Sequence, residues 1–355
     1  IGTSPLICSS AGELEKLVAA EKAGADTFMD LSTGGDLDAI RKDMMTKSAL
    51  PIGTVPIYAA AKRNADEKKA AEDMDMEEVF KEIEKQGELG VDFMTIHTGI
   101  DLKTAEYAEH NRILGVVSRC GSMIASWMRK HHKENPFYEN FDRIVSIAKK
   151  YNITLSLGDA MRPGALADAG DLAQILESAN LGEQIKYARE KGVQVMAEGP
   201  GHISLDMVES QIKAAKKLIH NAPLYILGPL VIDNAAGYDH ISGAIGAANA
   251  VMAGADFLCY LTAAEHLTLP DIDDVYNGVM ASRIAAMAGD TALKRKYAVE
   301  LQNNMSQARR ALNWEDMKKY ALDADMVEKR RANHKDREEC AMCGEFCSVK
   351  LGNKN

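Results

Sequence analysis

The sequence has no excess of positive charge, no long apolar run and few cysteines, and each shortage removes a class of function. Its 42 basic residues are outnumbered by 52 acidic ones, for a formal charge of -10. Nucleic acid and anionic membrane surfaces, which need a positive field, are therefore not expected as main partners, and any phosphate must be met by a local site. No apolar stretch approaches the roughly 20 residues of a spanning helix, and no charged-then-apolar leader is present, so a cytoplasmic protein is expected. The chain opens at Ile1 rather than at a methionine, so a further upstream segment is expected. There is no low-complexity tract. Six cysteines in 355 residues are too few and too uneven for a disulfide framework. Cys8, Cys120 and Cys259 stand apart, whereas Cys340, Cys343 and Cys347 fall within eight residues, the kind of cluster that binds metal in a reducing compartment.

What remains is 46% hydrophobic and 26% charged, enough apolar material for one large core. Short runs rich in β-branched and apolar residues recur at 25–31, 51–57, 91–99, 115–121, 153–159, 193–201, 223–233 and 256–262. Amphipathic stretches of helical period separate them, among them 11–22, 76–89, 141–151, 205–219 and 241–253. Eight strand–helix units over about 250 residues predict a (β/α)8 TIM barrel with a parallel sheet, an open doubly wound sheet being the alternative. The barrel is favoured because Asp30, Tyr58, His97, Arg119, Asp159, Glu198, Asp233 and Cys259 each close a different run, and strand C-terminal ends converge on one mouth in a barrel. After Pro270 the strand pattern stops. The expected organisation is a barrel carrying the site over 1–270, a helical extension over 271–332 read as helices at 271–287, 292–311 and 314–331, and a cysteine-bearing tail over 333–355.

Cys340-Ala-Met-Cys343-Gly-Glu-Phe-Cys347 is the strongest local signal. Three thiolates suit an iron–sulfur cluster with one open iron, while a zinc site needs a fourth donor such as His334. His202 in Glu198-Gly-Pro-Gly-His202 and His266 after Glu265 follow the sixth and eighth runs and can begin an open metal site; the alternative is two hydrogen-bonded loop histidines. Asp159-Ala-Met-Arg162-Pro-Gly164 places a carboxylate and a guanidinium on one rim, and Ser118-Arg119 offers a second cation, a pattern suited to phosphate or to a plain ion pair. Tyr238, Asp239 and His240 add polar groups on the seventh loop. Cys259 ends an apolar strand and on its own reads as a packed thiol. His110, His131, His132, His220 and the charged stretch 62–69 read as solvated surface.

Taken with Ile1-Gly-Thr-Ser-Pro5, Met29-Asp-Leu-Ser-Thr-Gly34, Gly53-Thr-Val-Pro-Ile-Tyr58, Ser156-Leu-Gly-Asp159 and Gly237-Tyr-Asp-His240, these motifs resemble the thiamine pyrimidine synthase family (phosphomethylpyrimidine synthases) and its relatives the 5-hydroxybenzimidazole synthases, over essentially the whole chain. The resemblance implies a radical S-adenosylmethionine (SAM) carbon–carbon lyase on a (β/α)8 barrel. Cys340, Cys343 and Cys347 would then hold a [4Fe-4S] cluster whose open iron binds SAM. It further implies aminoimidazole ribotide as substrate, contacted by Met29, Tyr58, His97, Ser118, Arg119, Asp159, Arg162, Glu198 and Tyr225, and Cys120, Ala160 and Met161 of the same loops are expected among the substrate contacts. Glu198 and Cys259 would be catalytic, and His202 and His266 would bind a second metal, Zn2+ or Fe2+. A flavodoxin or ferredoxin as electron donor is implied too, as is a homodimer in which the tail of one subunit covers the barrel of the other.

Three departures from the thiamine-type pattern sit near this site: Cys120 in Ser118-Arg119-Cys120-Gly121 in place of glycine, Ala160 and Met161 in place of glycine and leucine, and Ile232-Asp-Asn-Ala-Ala-Gly-Tyr-Asp-His240 without the usual proline. They change volume or loop stiffness and remove no ligand. On them the expectation is 5-hydroxybenzimidazole, for the lower ligand of cobalamin, with the thiamine pyrimidine as the alternative. A non-catalytic ribotide-binding barrel with a structural zinc tail is the remaining one.

Overall fold

A computed structural model describes residues 1–353, in two compact units, Ile1–Ala286 and the segment from Met287 onward. The first is built on seven parallel strands: β1 (Phe28–Asp30), β2 (Ile52–Thr54), β3 (Phe93–Ile96), β4 (Thr154–Leu157), β5 (Val195–Gly199), β6 (Leu224–Leu227) and β7 (Phe257–Cys259). They pair in sequence order. Helices such as Met76–Leu89, Leu172–Glu190 and Asp239–Ala253 alternate with them, and the main core is formed by strand residues such as Met94, Leu155, Ala197 and Ile226 with helical residues such as Val79, Ile144, Ile185 and Val208. The sheet curls, because the Tyr225 hydroxyl of β6 reaches the Met29 sulfur of β1 at 3.9 Å across its concave face.

The eighth strand expected at 115–121 is absent, and among the described residues no pairing joins β7 to β1, so the sheet is a curled, TIM-like half-barrel rather than a closed (β/α)8 barrel. The chain before 115–121 is held by a distant side chain. Asp168 accepts the Ile113 and Leu114 N–H groups at 2.8 and 3.1 Å, which gives this backbone side-chain partners in place of a ladder. Ser118 then accepts the Gly121 N–H at 3.2 Å and starts the helix Arg119–His131. On the side of β1 away from β2, residues 1–3 run alongside, with the Leu31 N–H on the Ile1 carbonyl and the Thr33 N–H on the Thr3 carbonyl, both 2.9 Å.

The second unit is helical, with Lys296–Arg310, Trp314–Tyr320 and Ala324–Arg331 followed by the short turns Gly344–Phe346 and Ser348–Gly352. The single helix expected over 314–331 is split because Asp323 caps a new start by accepting the Met326 N–H at 2.8 Å. No helix among the described residues is long and apolar enough to cross a membrane.

Candidate active site

Strand register assembles the centre of the site. Glu198 on β5 accepts hydrogen bonds from Thr95 on β3 at 2.7 Å and from Ser156 on β4 at 2.8 Å, which aims its carboxyl into the concave face. Burial raises its pKa against the pull of those hydroxyls and of Arg162. Asp159 follows β4. Burial pushes its carboxyl up to about 8, although Arg162 donates to Oδ1 at 3.1 Å, and Oδ2 has no partner. Burial thus favours the protonated form of this acid beside a guanidinium.

His97, just beyond β3, is 3% exposed and pushed down to about 3 by burial, then by Arg162, so its ring is neutral. Nε2 meets Ser118 Oγ at 2.9 Å, while Nδ1 has no partner. A β-carbon on Gly158 would come within 2.6 Å of this ring, which explains glycine in Ser156-Leu-Gly-Asp159. Arg119 lies 5.2 Å over the Tyr58 ring, whose hydroxyl burial raises to about 12. Two arginines thus border the face from different loops. Cys120, Ala160 and Met161, expected among the contacts, are at most 1% exposed and pack into the core.

On the opposite flank Tyr225 stacks on Phe257 at 4.6 Å and hydrogen-bonds Cys259. Burial raises the Cys259 thiol to about 11, partly offset by that bond, so it stays protonated at pH 7. A thiol held protonated is a poor nucleophile.

The His202 and His266 rings lie 5.4 Å apart. His202 Nδ1 meets Asp233 at 2.8 Å and His266 Nδ1 meets Asp239 at 3.1 Å, leaving both Nε2 atoms for another partner. Carboxylates behind imidazoles are the usual support of metal-binding histidines, so this donor set fits a metal. The aspartates were noted in sequence as a strand end and a loop residue; that each backs a histidine depends on packing between loops. No group of three or more His, Cys, Asp or Glu is gathered for a metal among the described residues.

Cys340, Cys343 and Cys347 are free thiols, half-buried, exposed and buried in turn. The stretch before them is held by its own unit. Trp314 Nε1 donates to the Glu338 carbonyl at 2.6 Å, and Arg331, stacked 3.7 Å over the Trp314 ring, donates to the Glu339 and Arg337 carbonyls at 3.1 and 2.8 Å. Gly344 takes φ +51 in the turn between the second and third thiols, a conformation that favours glycine. Three unblocked thiols on one short turn suit a cluster that closes them round itself.

Comparison with known proteins converges on one family. Residues 1–354 match the Radical SAM ThiC family. The chain is 50% identical to a phosphomethylpyrimidine synthase of Thermoanaerobacter sp. (strain X514) over 99% of its own length and 82% of that protein. It is 49% identical to proteins of the same name from Dehalococcoides mccartyi (strain CBDB1), over 100% and 83%, and from Archaeoglobus fulgidus, over 99% and 83%. Such membership implies a [4Fe-4S] cluster and SAM and makes the chain a radical SAM lyase, which removes the non-catalytic barrel with a zinc tail. The chain belongs to the Radical SAM ThiC family.

Proposed function

We propose that the chain is a phosphomethylpyrimidine synthase that rearranges aminoimidazole ribotide into the hydroxymethylpyrimidine phosphate of thiamine. The observation that carries this reading is the full-length likeness, at about half identity, to proteins of that name. The preference for 5-hydroxybenzimidazole drawn from the sequence is set aside in its favour. The relatives above weigh against it.

When bound at Cys340, Cys343 and Cys347, a [4Fe-4S] cluster supplies the electron that cleaves SAM. The chain's own residues then bind, orient and exchange protons. Arg162 and Arg119 suit the ribotide phosphate, from two loops that border the same face. Glu198, fixed by Thr95 and Ser156, accepts from the substrate amine, and the acid form of Asp159 donates a proton to a ring nitrogen. Neutral His97 and Ser118 share one hydrogen bond and orient the same ligand. The Cys259 thiol, held by Tyr225, is placed to give up a hydrogen atom. His202 and His266, backed by Asp233 and Asp239, would hold zinc or iron.

Anaerobic turnover of the reconstituted protein with SAM, a reductant and aminoimidazole ribotide, read by mass, tests the reading. Hydroxymethylpyrimidine phosphate supports it; 5-hydroxybenzimidazole overturns it and restores the loop substitutions as determinants of product.

A further inference from the structure

The loop that carries Asp159 and Arg162 is gripped from outside the site on both its donors and its acceptors. Glu177, 2% exposed on the helix Leu172–Glu190, accepts the Met161 N–H on Oε2 at 2.8 Å and also takes the Ala160 N–H. Arg112, oriented by a two-pronged ion pair with Asp171 at 2.7 and 2.8 Å, donates to the Met161 carbonyl at 2.7 Å. Holding two N–H groups does not by itself explain a buried glutamate. The other oxygen of Glu177, Oε1, has no partner, and neither has Asp159 Oδ2. Both residues line one small, partly open cavity of about 20 Å³, together with Gln174, Ser178 and Glu198. That volume accommodates a single water, and the lining offers the two to four polar partners such a water needs. Two ionised carboxylates there would repel each other in a poorly solvated space.

We propose that Glu177 is a positioning residue that shares one proton with Asp159 through a single water held in this cavity. The transfer balances: Asp159 gives its proton to the water, the water passes one to Glu177, and the pair keeps one negative charge throughout. The charged groups facing the pair are Arg112 on the Glu177 side and Arg162 and Glu198 on the Asp159 side. Burial, followed by the Asp159 charge, raises Glu177 well above the usual carboxylate range, in keeping with a shared proton. The inference rests on Asp159 being a site residue of the proposed synthase. Its test needs no turnover, so its failure is distinct from failure of that reading.

The test uses the full chain without ligand. A crystal structure fine enough to place waters is expected to show one water within hydrogen-bond distance of Asp159 Oδ2 and Glu177 Oε1; a dry cavity or a direct carboxyl–carboxyl bond overturns the proposal. An infrared pH titration of the buried carboxyl stretch is expected to lose its midpoint near 8 in Glu177→Gln. There the proton affinity of Asp159 falls about tenfold, because the proton can no longer be shared with Glu177 through the water. An unmoved midpoint in that variant leaves Glu177 a purely structural clamp and also overturns the proposal. If Glu177→Gln does not fold, the wild-type water decides alone.

Discussion

Glu198 is half-buried, with hydrogen bonds from β3 and β4 fixing its carboxyl, whereas Cys343 stands exposed on a turn with no metal-binding group gathered beside it among the described residues. The first arrangement exists because parallel pairing sets Thr95 beside Ser156 with Met196 next in the row, and Glu198, two residues further along β5, reaches both hydroxyls, so its geometry comes with the fold. The second awaits a metal to supply the binding energy that orders it. A substrate site laid on a sheet is preorganised and sensitive to single polar atoms; a cluster loop on turns is sensitive to its ligands and tolerant elsewhere.

The largest effect follows from that difference. Replacing Cys340, Cys343 and Cys347 together by alanine is expected to reduce iron and sulfide to background and abolish turnover, while thermal unfolding of the unit Ile1–Ala286 stays unchanged. A large loss of stability in that unit would break the comparison. On the preorganised side, Glu198→Gln keeps shape and removes charge. It is expected to lower kcat by about 10²–10³-fold without loss of iron, since one fixed charged acceptor in a dry site carries an effect of that order.

The legible part of the molecule was the part written in local pattern. Seven of the eight runs contain the seven strands. The run at 115–121 misled because its apolar residues looked like a strand while Asp168, far off in sequence, satisfies the backbone just before it. The partners of Glu198 were invisible for a related reason, since Thr95 lies 103 residues away and becomes its neighbour only through register. Glu177 and Arg112 gave no signal at all, because a helical glutamate and a loop arginine are ordinary on a surface. Cys120, Ala160 and Met161 draw attention by identity, and the structure shows them buried in the loops that carry Arg119, Asp159 and Arg162.

Metal binding at the histidine pair sharpens the contrast next. Asp239→Ala leaves the proposed ligand His266 in place but frees its ring, and is expected to weaken zinc or iron about 10–100-fold in a chelator competition. Unchanged affinity would show that His266 is not a ligand. The pH dependence of stability is smaller. Asp159 has its folded pKa raised from 3.8 to about 8, so its contribution is present below 3.8 and lost as pH rises through 8. His97 is depressed from 6.5 to about 3, so its contribution is lost as pH falls below 6.5. The two oppose each other between 3.8 and 6.5, whereas between 6.5 and 8 Asp159 acts without His97, and Asp159→Asn separates its share from that of the other shifted groups. The thermal midpoint is expected to fall by about 2–4 °C across that upper interval, and by less in Asp159→Asn.

The smallest effect probes how far the cysteine segment is ordered without metal. Arg331 stacks on Trp314 and holds two carbonyls just before Cys340, so Arg331→Ala removes one exposed cation–π contact and two hydrogen bonds, together on the order of 1–3 kcal/mol. In the metal-free protein the Cys340 thiol is expected to alkylate several-fold faster in this variant than in the wild type, while Cys343, already exposed, changes little. Arg331→Lys should behave like alanine, because an ammonium cannot reproduce the planar two-pronged grip. Equal alkylation rates in variant and wild type would mean that the bonds to 337–339 do not order Cys340. All three thiols would then depend on the cluster for their placement, and the contrast with the sheet-borne site would be complete.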